Sequence, residues 1–485
     1  MNYRLLSVTE LHELLIKGEI SPLDLVKEAI KAAKEDNNNA FEYISEKEAL
    51  EAVNNLDPNK KENLLWGIPF VLKDNFSTKD IPTTASSNIL SGYIPAFSSE
   101  VYLRLVEQGA ILIGKTTLDE LAMGGSGTTG HLGYTFNPWD PSHKHQIGGS
   151  SCGSAAACSA GIVPFAIGSD TGDSVRKPAS YANLVGLKPT WGRISRFGLF
   201  PFAPSLDHVA FFTRNVKDSE IVLSVLAGHD NKDATSSRIP LDDYIQASRN
   251  VKGLRIAIIH EIYDSIKDKT IRSTFESVLD KLKERGAIIN FVHMDIKLCK
   301  AINPTYIIIS SAEATSSNAN LDGIKFGPRF EGSTYEEVMF KARTEGFSEL
   351  IKRRFVVGNY SLLRENQSEI FIRAQKCRRL IVNAINDILK ENDVIYLPAS
   401  PNTAPLFEEN SMDKLNIEEI IANNYLALGN LGGQPSLTLP LGFKNGLPFG
   451  GNITGRIFEE TKVFSLALAV EEIVGLNDLI AGEKK

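Results

Sequence analysis

Two serine-rich turns and one lysine carry the side-chain types that acyl transfer needs. The first turn is Gly148-Gly149-Ser150-Ser151-Cys152-Gly153-Ser154-Ala155-Ala156-Ala157, where glycines and serines run into an alanine-rich helix that ends near Gly161. Small residues let the backbone approach a ligand closely, and a helix N-terminus favours negative charge. Tight helix packing accounts for Ser154 to Ala160, but it does not require the hydroxyls of Ser150 and Ser151. A phosphate-binding P-loop is excluded, because Ser154-Ala155 follows Gly153 where Lys-Ser/Thr is needed. Gly149-Ser150-Ser151-Cys152-Gly153 fits the G-x-S-x-G nucleophile elbow, yet that motif needs a strand before it, and Pro141-Ser142-His143-Lys144-His145 is not one.

The second turn, Ser169-Asp170-Thr171-Gly172-Asp173-Ser174-Val175-Arg176, follows an apolar run that reads as a strand. Strand ends are where α/β enzymes place their chemistry. Successive backbone N–H groups of Thr171, Gly172, Asp173 and Ser174 can converge there on a developing oxyanion, with Ser174 as nucleophile. Taken alone, the same residues read first as an ordinary polar turn. Lys73 closes another apolar run, Val71-Leu72-Lys73. Burial at a strand end disfavours the ammonium, so its pKa is expected to fall toward neutrality and leave a usable general base. The competing reading is a structural ion pair with Asp74. The eight histidines form no H-E-x-x-H motif and no metal-ligand spacing, so no metal site is expected.

Positioning these residues falls to an alternation of short apolar runs and helical periods. Candidate strands are Gly67–Leu72, Ala110–Gly114, Val163–Gly168, Arg255–His260, Ile288–Val292, Val394–Leu397 and Ser436–Gly442, with helices such as Ser99–Gln108 and Thr270–Arg285 between them. That pattern predicts an α/β protein, a large mixed sheet covered by helices on both faces. Residues 1–62 read as a separate helical arm: Ser7-Val8-Thr9-Glu10 is a capping box with Gly18 as stop, and Ser21-Pro22 opens a second helix. Residues 63–485 then form the catalytic unit, carrying a charged, helical, strand-poor insertion at about 322–379.

Composition sets the outer bounds. The chain has 485 residues, a net charge of −7 and 42% hydrophobic residues, which describes a globular chain rather than a fibrous or disordered one. Its acidity argues against a broad basic face that grips nucleic acid directly. No apolar run reaches the roughly 18–20 residues that cross a bilayer, and four cysteines without a C-x-x-C pair suggest no disulfide framework. A cytoplasmic location is expected, with no membrane association.

The order of these motifs resembles the amidase signature family. The resemblance rests on Gly148-Gly149-Ser150-Ser151, Gly168-Ser169-Asp170-Thr171-Gly172, Ser174, Arg176 and Gly186-Leu187-Lys188-Pro189-Thr190-Trp191-Gly192-Arg193. It continues through Gly67-Ile68-Pro69-Phe70-Val71-Leu72-Lys73-Asp74-Asn75, Asp119-Glu120-Leu121-Ala122-Met123 and Asn137-Pro138-Trp139-Asp140. Further segments, including Asp322-Gly323-Ile324-Lys325-Phe326-Gly327, Lys352-Arg353-Arg354 and Asn430-Leu431-Gly432-Gly433, are most similar to the A subunits of tRNA-dependent glutamine amidotransferases.

The resemblance implies a Ser–Ser–Lys triad: Ser174 as nucleophile, Ser150 as bridging serine after a cis peptide, and Lys73 as base. It implies an oxyanion hole from the backbone of Thr171, Gly172 and Asp173, and hydrolysis of glutamine to glutamate. The ammonia would convert Glu-tRNA(Gln), with Asp-tRNA(Asn) a second candidate. Partners implied are a B subunit, which handles tRNA and uses ATP and magnesium, and a small C subunit. No cofactor is expected in this chain.

Four positions depart from the family's usual pattern. Asp173 stands where a second glycine is usual, and a carboxylate there repels an oxyanion unless it points away. Cys152 replaces another glycine, and Phe326 stands where tyrosine is common. Asn423 and Asn424 lie near where a carboxylate is expected to hold the glutamine α-amino group, and Arg378 is the candidate for its α-carboxylate. A free-standing amidase of small amides and a catalytically silent scaffold stay open as other readings.

Overall fold

The computed structural model describes residues 3–409 and 417–483. Eleven strands form one mixed sheet among them: β1 (Phe41–Ile44), β2 (Pro69–Lys73), β3 (Ile111–Thr116), β4 (Phe165–Asp170), β5 (Val185–Lys188), β6 (His208–Thr213), β7 (Arg255–Ile259), β8 (Ile288–Val292), β9 (Val394–Pro398), β10 (Ser436–Lys444) and β11 (Leu447–Gly455). Their spatial order is β1-β3-β2-β4-β6-β5-β10-β11-β9-β7-β8. β2 runs parallel to both β3 and β4, and β7 parallel to β8 and β9, whereas the middle of the sheet is antiparallel.

Side chains alternate across each strand, so a strand covered on both faces feeds two cores. In β2, Phe70 and Leu72 enter one hydrophobic cluster, while Val71 enters the other. In β4, Phe165 and Ile167 join the first and Ala166 the second. The second cluster also contains the helix Cys152–Ser159, whose eight residues are all buried. This is the expected sheet with helices on both faces.

All seven expected strands exist, β8 with the expected ends and the other six with shifted ones. β2 starts at Pro69, since Gly67 sits at φ +74°, outside extended space, and it runs on to include Lys73. β4 continues to Asp170, so Ser169 and Asp170 belong to the strand rather than to the turn. Four strands were missed: β1, β5, β6 and β11. The sequence of β11, Leu-Pro-Phe-Gly-Gly-Asn-Ile-Thr-Gly, reads as a turn, yet it pairs with both β9 and β10. Its glycines answer to crowding, because a Cβ on Gly451 would lie 2.8 Å from the Tyr396 ring.

The first 62 residues hold the helices Val8–Lys17 and Pro22–Lys34 with the expected Ser7 and Ser21 caps. They also supply β1, which pairs antiparallel with β3, and Val8, Leu11 and Leu25 of the first core cluster. Between 322 and 379 lie the helices Tyr335–Gly346 and Glu349–Leu362, and the start of Phe371–Glu391. The last two pack against the helix Ile296–Ser317.

Candidate active site

Lys73 ends β2 on the face opposite Leu72, the face that packs the helix Cys152–Ser159. It is fully buried. Its Nζ lies 2.7 Å from Ser150 Oγ, 2.9 Å from Ser151 Oγ and 3.0 Å from Ser169 Oγ. Burial drives its pKa down to about 7, against a weaker upward pull from Cys152, Asp119, Asp170 and Asp207. Asp74 is not its partner. That carboxylate pairs with Lys115 Nζ of β3 at 3.0 Å and accepts from the Thr84 N–H and hydroxyl, so the structural ion pair belongs to a different lysine.

Counting donors fixes the direction of the Ser151 contact. Ser151 Oγ donates to the Ser169 carbonyl at 3.1 Å and can only accept from Lys73. A neutral amine has two N–H groups and one lone pair. With one N–H given to Ser151 and the other to Ser169, a neutral amine has its lone pair left for the Ser150 hydroxyl.

Ser150 reaches the lysine because the chain before it runs tight against a loop. A Cβ on Gly149 would lie 2.0 Å from Asp119 Oδ2, a position only glycine tolerates, and the Gly149–Ser150 peptide is cis. Asp119 is itself fixed by the N–H groups of Ser126, Gly127, Thr128 and Thr129 at 3.0–3.1 Å. Ser151 N–H donates to the Ser174 carbonyl at 3.1 Å, joining the two serine turns. With its proton held by a carbonyl, Ser151 has no role as the elbow nucleophile.

The loop from Thr171 to Ser174 hangs from a buried clamp. Arg176 donates through Nε and Nη2 to the two oxygens of Asp170 at 3.1 and 2.8 Å, and through Nη2 to the Gly172 carbonyl at 2.8 Å. Asn430 bonds both partners, accepting from Arg176 at 2.6 Å and donating to Asp170 at 3.0 Å. Thr171 Oγ1 donates to Asp207 at 2.7 Å. Among the described residues the backbone N–H groups of Thr171, Gly172, Asp173 and Ser174 have no acceptor, so they are available to an oxyanion. No hydrogen bond joins the hydroxyls of Ser150 and Ser174 among the described residues, although Ser174 is buried on the same turn system. The Asp173 carboxylate pairs with Lys177 Nζ at 2.6 Å, which offsets its charge beside the nucleophile. Cys152 packs within the second core cluster, and burial raises its thiol to about 12, so it behaves as a small apolar group.

The residues expected to hold substrate are placed differently. Arg378 spends its guanidinium on the Leu431 carbonyl at 2.8 Å and on the Ser205 hydroxyl and carbonyl at 2.7 and 3.0 Å. Phe326 stacks edge-on against Tyr93, at 5.5 Å. The side chains of Asn423 and Asn424 turn back to the Glu419 and Ile420 carbonyls of their own helix, and the Asn423 carbonyl accepts from Lys177 at 2.5 Å.

Sequence reasoning did not single out Ser169, Asn75, Tyr306 or Arg354. Asn75 donates to Ser169 Oγ at 3.0 Å. The Tyr306 ring covers Gly172, where a Cβ would lie 2.8 Å from it. Arg354 stands 5.6 Å over the Phe202 ring with its Nε and Nη1 buried and, among the described residues, unbonded. Its signal was present in Lys352-Arg353-Arg354, but nothing in a helical run of basic residues marks which one turns inward. Among the described residues no group of three His, Cys, Asp or Glu side chains is placed to hold a metal, and no helix is long and apolar enough to cross a membrane.

Comparisons with known proteins identify the family and the fold. A family model described as Amidase matches residues 24–464. The A subunit of the glutamyl-tRNA(Gln) amidotransferase of Staphylococcus epidermidis is 38% identical to the chain, with 99% of each covered. The same subunit from Thermoanaerobacter pseudethanolicus is 39% identical over 97% of both. The crystal structure of the Thermotoga maritima A subunit superposes with a TM-score of 0.80 at 33% identity, covering 97% of this chain and 95% of that one. A bacterial aryl acylamidase, 23% identical, shares the fold with a TM-score of 0.83.

Proposed function

The chain belongs to the amidase signature family, and from that premise we propose that it is the glutamine-hydrolysing A subunit of a tRNA-dependent amidotransferase, with Lys73, Ser150 and Ser174 as its triad. The observation that carries the chemistry is the buried Lys73 amine 2.7 Å from Ser150 Oγ. Neutral Lys73 takes the Ser150 proton as Ser150 takes that of Ser174. Ser174 Oγ then attacks the glutamine side-chain carbonyl, and the N–H groups of Thr171, Gly172 and Asp173 receive the oxyanion. The proton returns through Ser150 to the leaving nitrogen, ammonia departs, and water hydrolyses the acyl ester to glutamate.

For the substrate carboxylate we propose Arg354, whose buried Nε and Nη1 are unbonded, in place of Arg378, which is already committed to Ser205 and Leu431. An unpaired buried guanidinium is costly until an anion meets it. Relatives that are named as one lettered component of an amidotransferase imply further chains in the assembly. The partners proposed are a B subunit, which receives the ammonia, holds tRNA and uses ATP and magnesium, and a small C subunit. They would form a cytoplasmic heterotrimer. Residues 1–62 are proposed as an arm on a catalytic unit of 63–485, with 322–379 as its helical insertion.

The test is purification from the native source, identification of bound chains, and assay of glutamine-dependent amidation of Glu-tRNA(Gln) and Asp-tRNA(Asn). Copurifying partners and tRNA amidation support the reading. Rapid hydrolysis of small amides by the chain alone, with no partner bound, points instead to a free-standing amidase. No amide turnover in any assembly points to a scaffold.

A further inference from the structure

Resting on that reading, we infer that Asp173 is the residue that binds the α-ammonium of the glutamine substrate. Glutamine is a zwitterion, so a site with a cation for its carboxylate also needs an anion for its ammonium. The carboxylates around the nucleophile turn are nearly all saturated. Asp170 Oδ1 accepts from Arg176 and Asn430, and its Oδ2 accepts from Val175 N–H and Arg176 Nε. Asp207 Oδ1 is held by Thr171 Oγ1 and Ala203 N–H, and its Oδ2 by Phe202 and Ala203 N–H. Glu313 is held by the N–H and hydroxyl of Ser205.

Asp173 differs. Its Oδ2 meets Lys177, but among the described residues its Oδ1 accepts nothing, and its side chain is 21% exposed. Lys177 is anchored in turn to the Asn423 carbonyl, which restrains the carboxylate through the ion pair. Asp173 directly precedes Ser174 in the chain, so its carboxylate and the nucleophile belong to the same turn. Asn423 and Asn424 offer no charge, and their side chains are turned onto their own helix. The arrangement also gives a physical reason for a carboxylate beside an oxyanion hole. Lys177 offsets part of its charge before substrate binds, and the substrate ammonium offsets more of it afterwards.

The experiment compares glutamine with 4-carbamoylbutanoate, the same amide without the amino group, in the full chain bound to its copurified partners. Wild type is expected to favour glutamine in kcat/KM by about tenfold or more, the scale of one charge-assisted hydrogen bond. Asp173→Asn is expected to lower kcat/KM for glutamine by about tenfold more than kcat/KM for the analogue, erasing most of the wild-type preference. Equal losses for both amides, or no loss for glutamine, overturn the assignment, because a merely structural role for the Asp173–Lys177 pair damages both alike. The wild-type comparison needs no variant to fold: turnover of the analogue as good as that of glutamine also overturns it, while leaving the amidase chemistry intact. Failure to turn over either amide removes the glutaminase reading, and this inference with it.

Discussion

Lys73 Nζ lies 2.7 Å from Ser150 Oγ in a fully buried position, and no carboxylate of the described residues pairs with it. Every hydrogen-bond partner of the amine is neutral. An ammonium in that setting is costly, and its pKa of about 7 follows from burial.

The pH dependence takes its sign from this. Protonated Lys73 cannot accept the Ser150 proton, so kcat/KM for glutamine is expected to rise with pH through a midpoint near 7 and then level off. The unfolded chain keeps its lysine protonated up to about 10.5. Between those values it binds more protons than the folded chain, so this group's contribution to stability also rises with pH across that window. A rate profile that is flat from pH 6 to 9 contradicts the assignment.

Replacing the nucleophile separates ammonia production from its use. Ser174→Ala is expected to abolish glutamine-dependent amidation by the complex, while amidation driven by added ammonium salt persists. The comparison is made on charged tRNA, with both ammonia sources at saturation. If both activities survive equally, Ser174 is not the nucleophile.

Two buried lysines offer a contrast between chemistry and support. Lys188, in β5, donates to the carbonyls of Gln434 and Pro189, and burial also holds its pKa well below the ordinary value. Lys73→Ala is expected to lower turnover by about a thousandfold or more, the scale of losing a general base or activated nucleophile. Lys188→Ala is expected to cost thermal stability, with turnover of the folded protein within about threefold of wild type. Similar, mild losses of turnover in both would show that Lys73 is not the base.

The two arginines are told apart by KM. Arg354→Met is expected to raise KM for glutamine by about tenfold to a hundredfold, consistent with about 1.5–3 kcal/mol for a hydrogen bond to a charged group. Arg378→Met breaks the bonds to Ser205 and Leu431 and is expected to lower the melting temperature instead. The reverse pattern, measured by steady-state kinetics and thermal unfolding on both variants, restores Arg378 as the substrate residue.

The sequence was most legible where chemistry and local pattern coincide. Lys73 closes an apolar run, and Ser150 and Ser174 sit in glycine-rich turns, so short windows nominate all three as candidates, while their roles rest on the family resemblance. The capping box at Ser7 and the proline-initiated helix at Pro22 were readable for the same local reason. Legibility failed where a residue's role depends on distant neighbours. β11 is a strand because β9 and β10 flank it, despite one proline and three glycines. Asp74 lies next to Lys73 in sequence, yet its partner is Lys115 on the neighbouring strand. Arg354 and Arg378 look alike as helix arginines, and only the contacts show that Arg378 is committed to backbone and hydroxyl acceptors while two buried nitrogens of Arg354 are unbonded among the described residues.

The most direct measurement is acid-quenched mass spectrometry of the full chain during glutamine turnover, with the modified peptide mapped. The account predicts one γ-glutamyl ester on Ser174 in wild type, none in Ser174→Ala, and almost none formed in Lys73→Ala. An adduct on Ser150, Ser151 or Cys152, or undiminished acylation without the lysine, contradicts it.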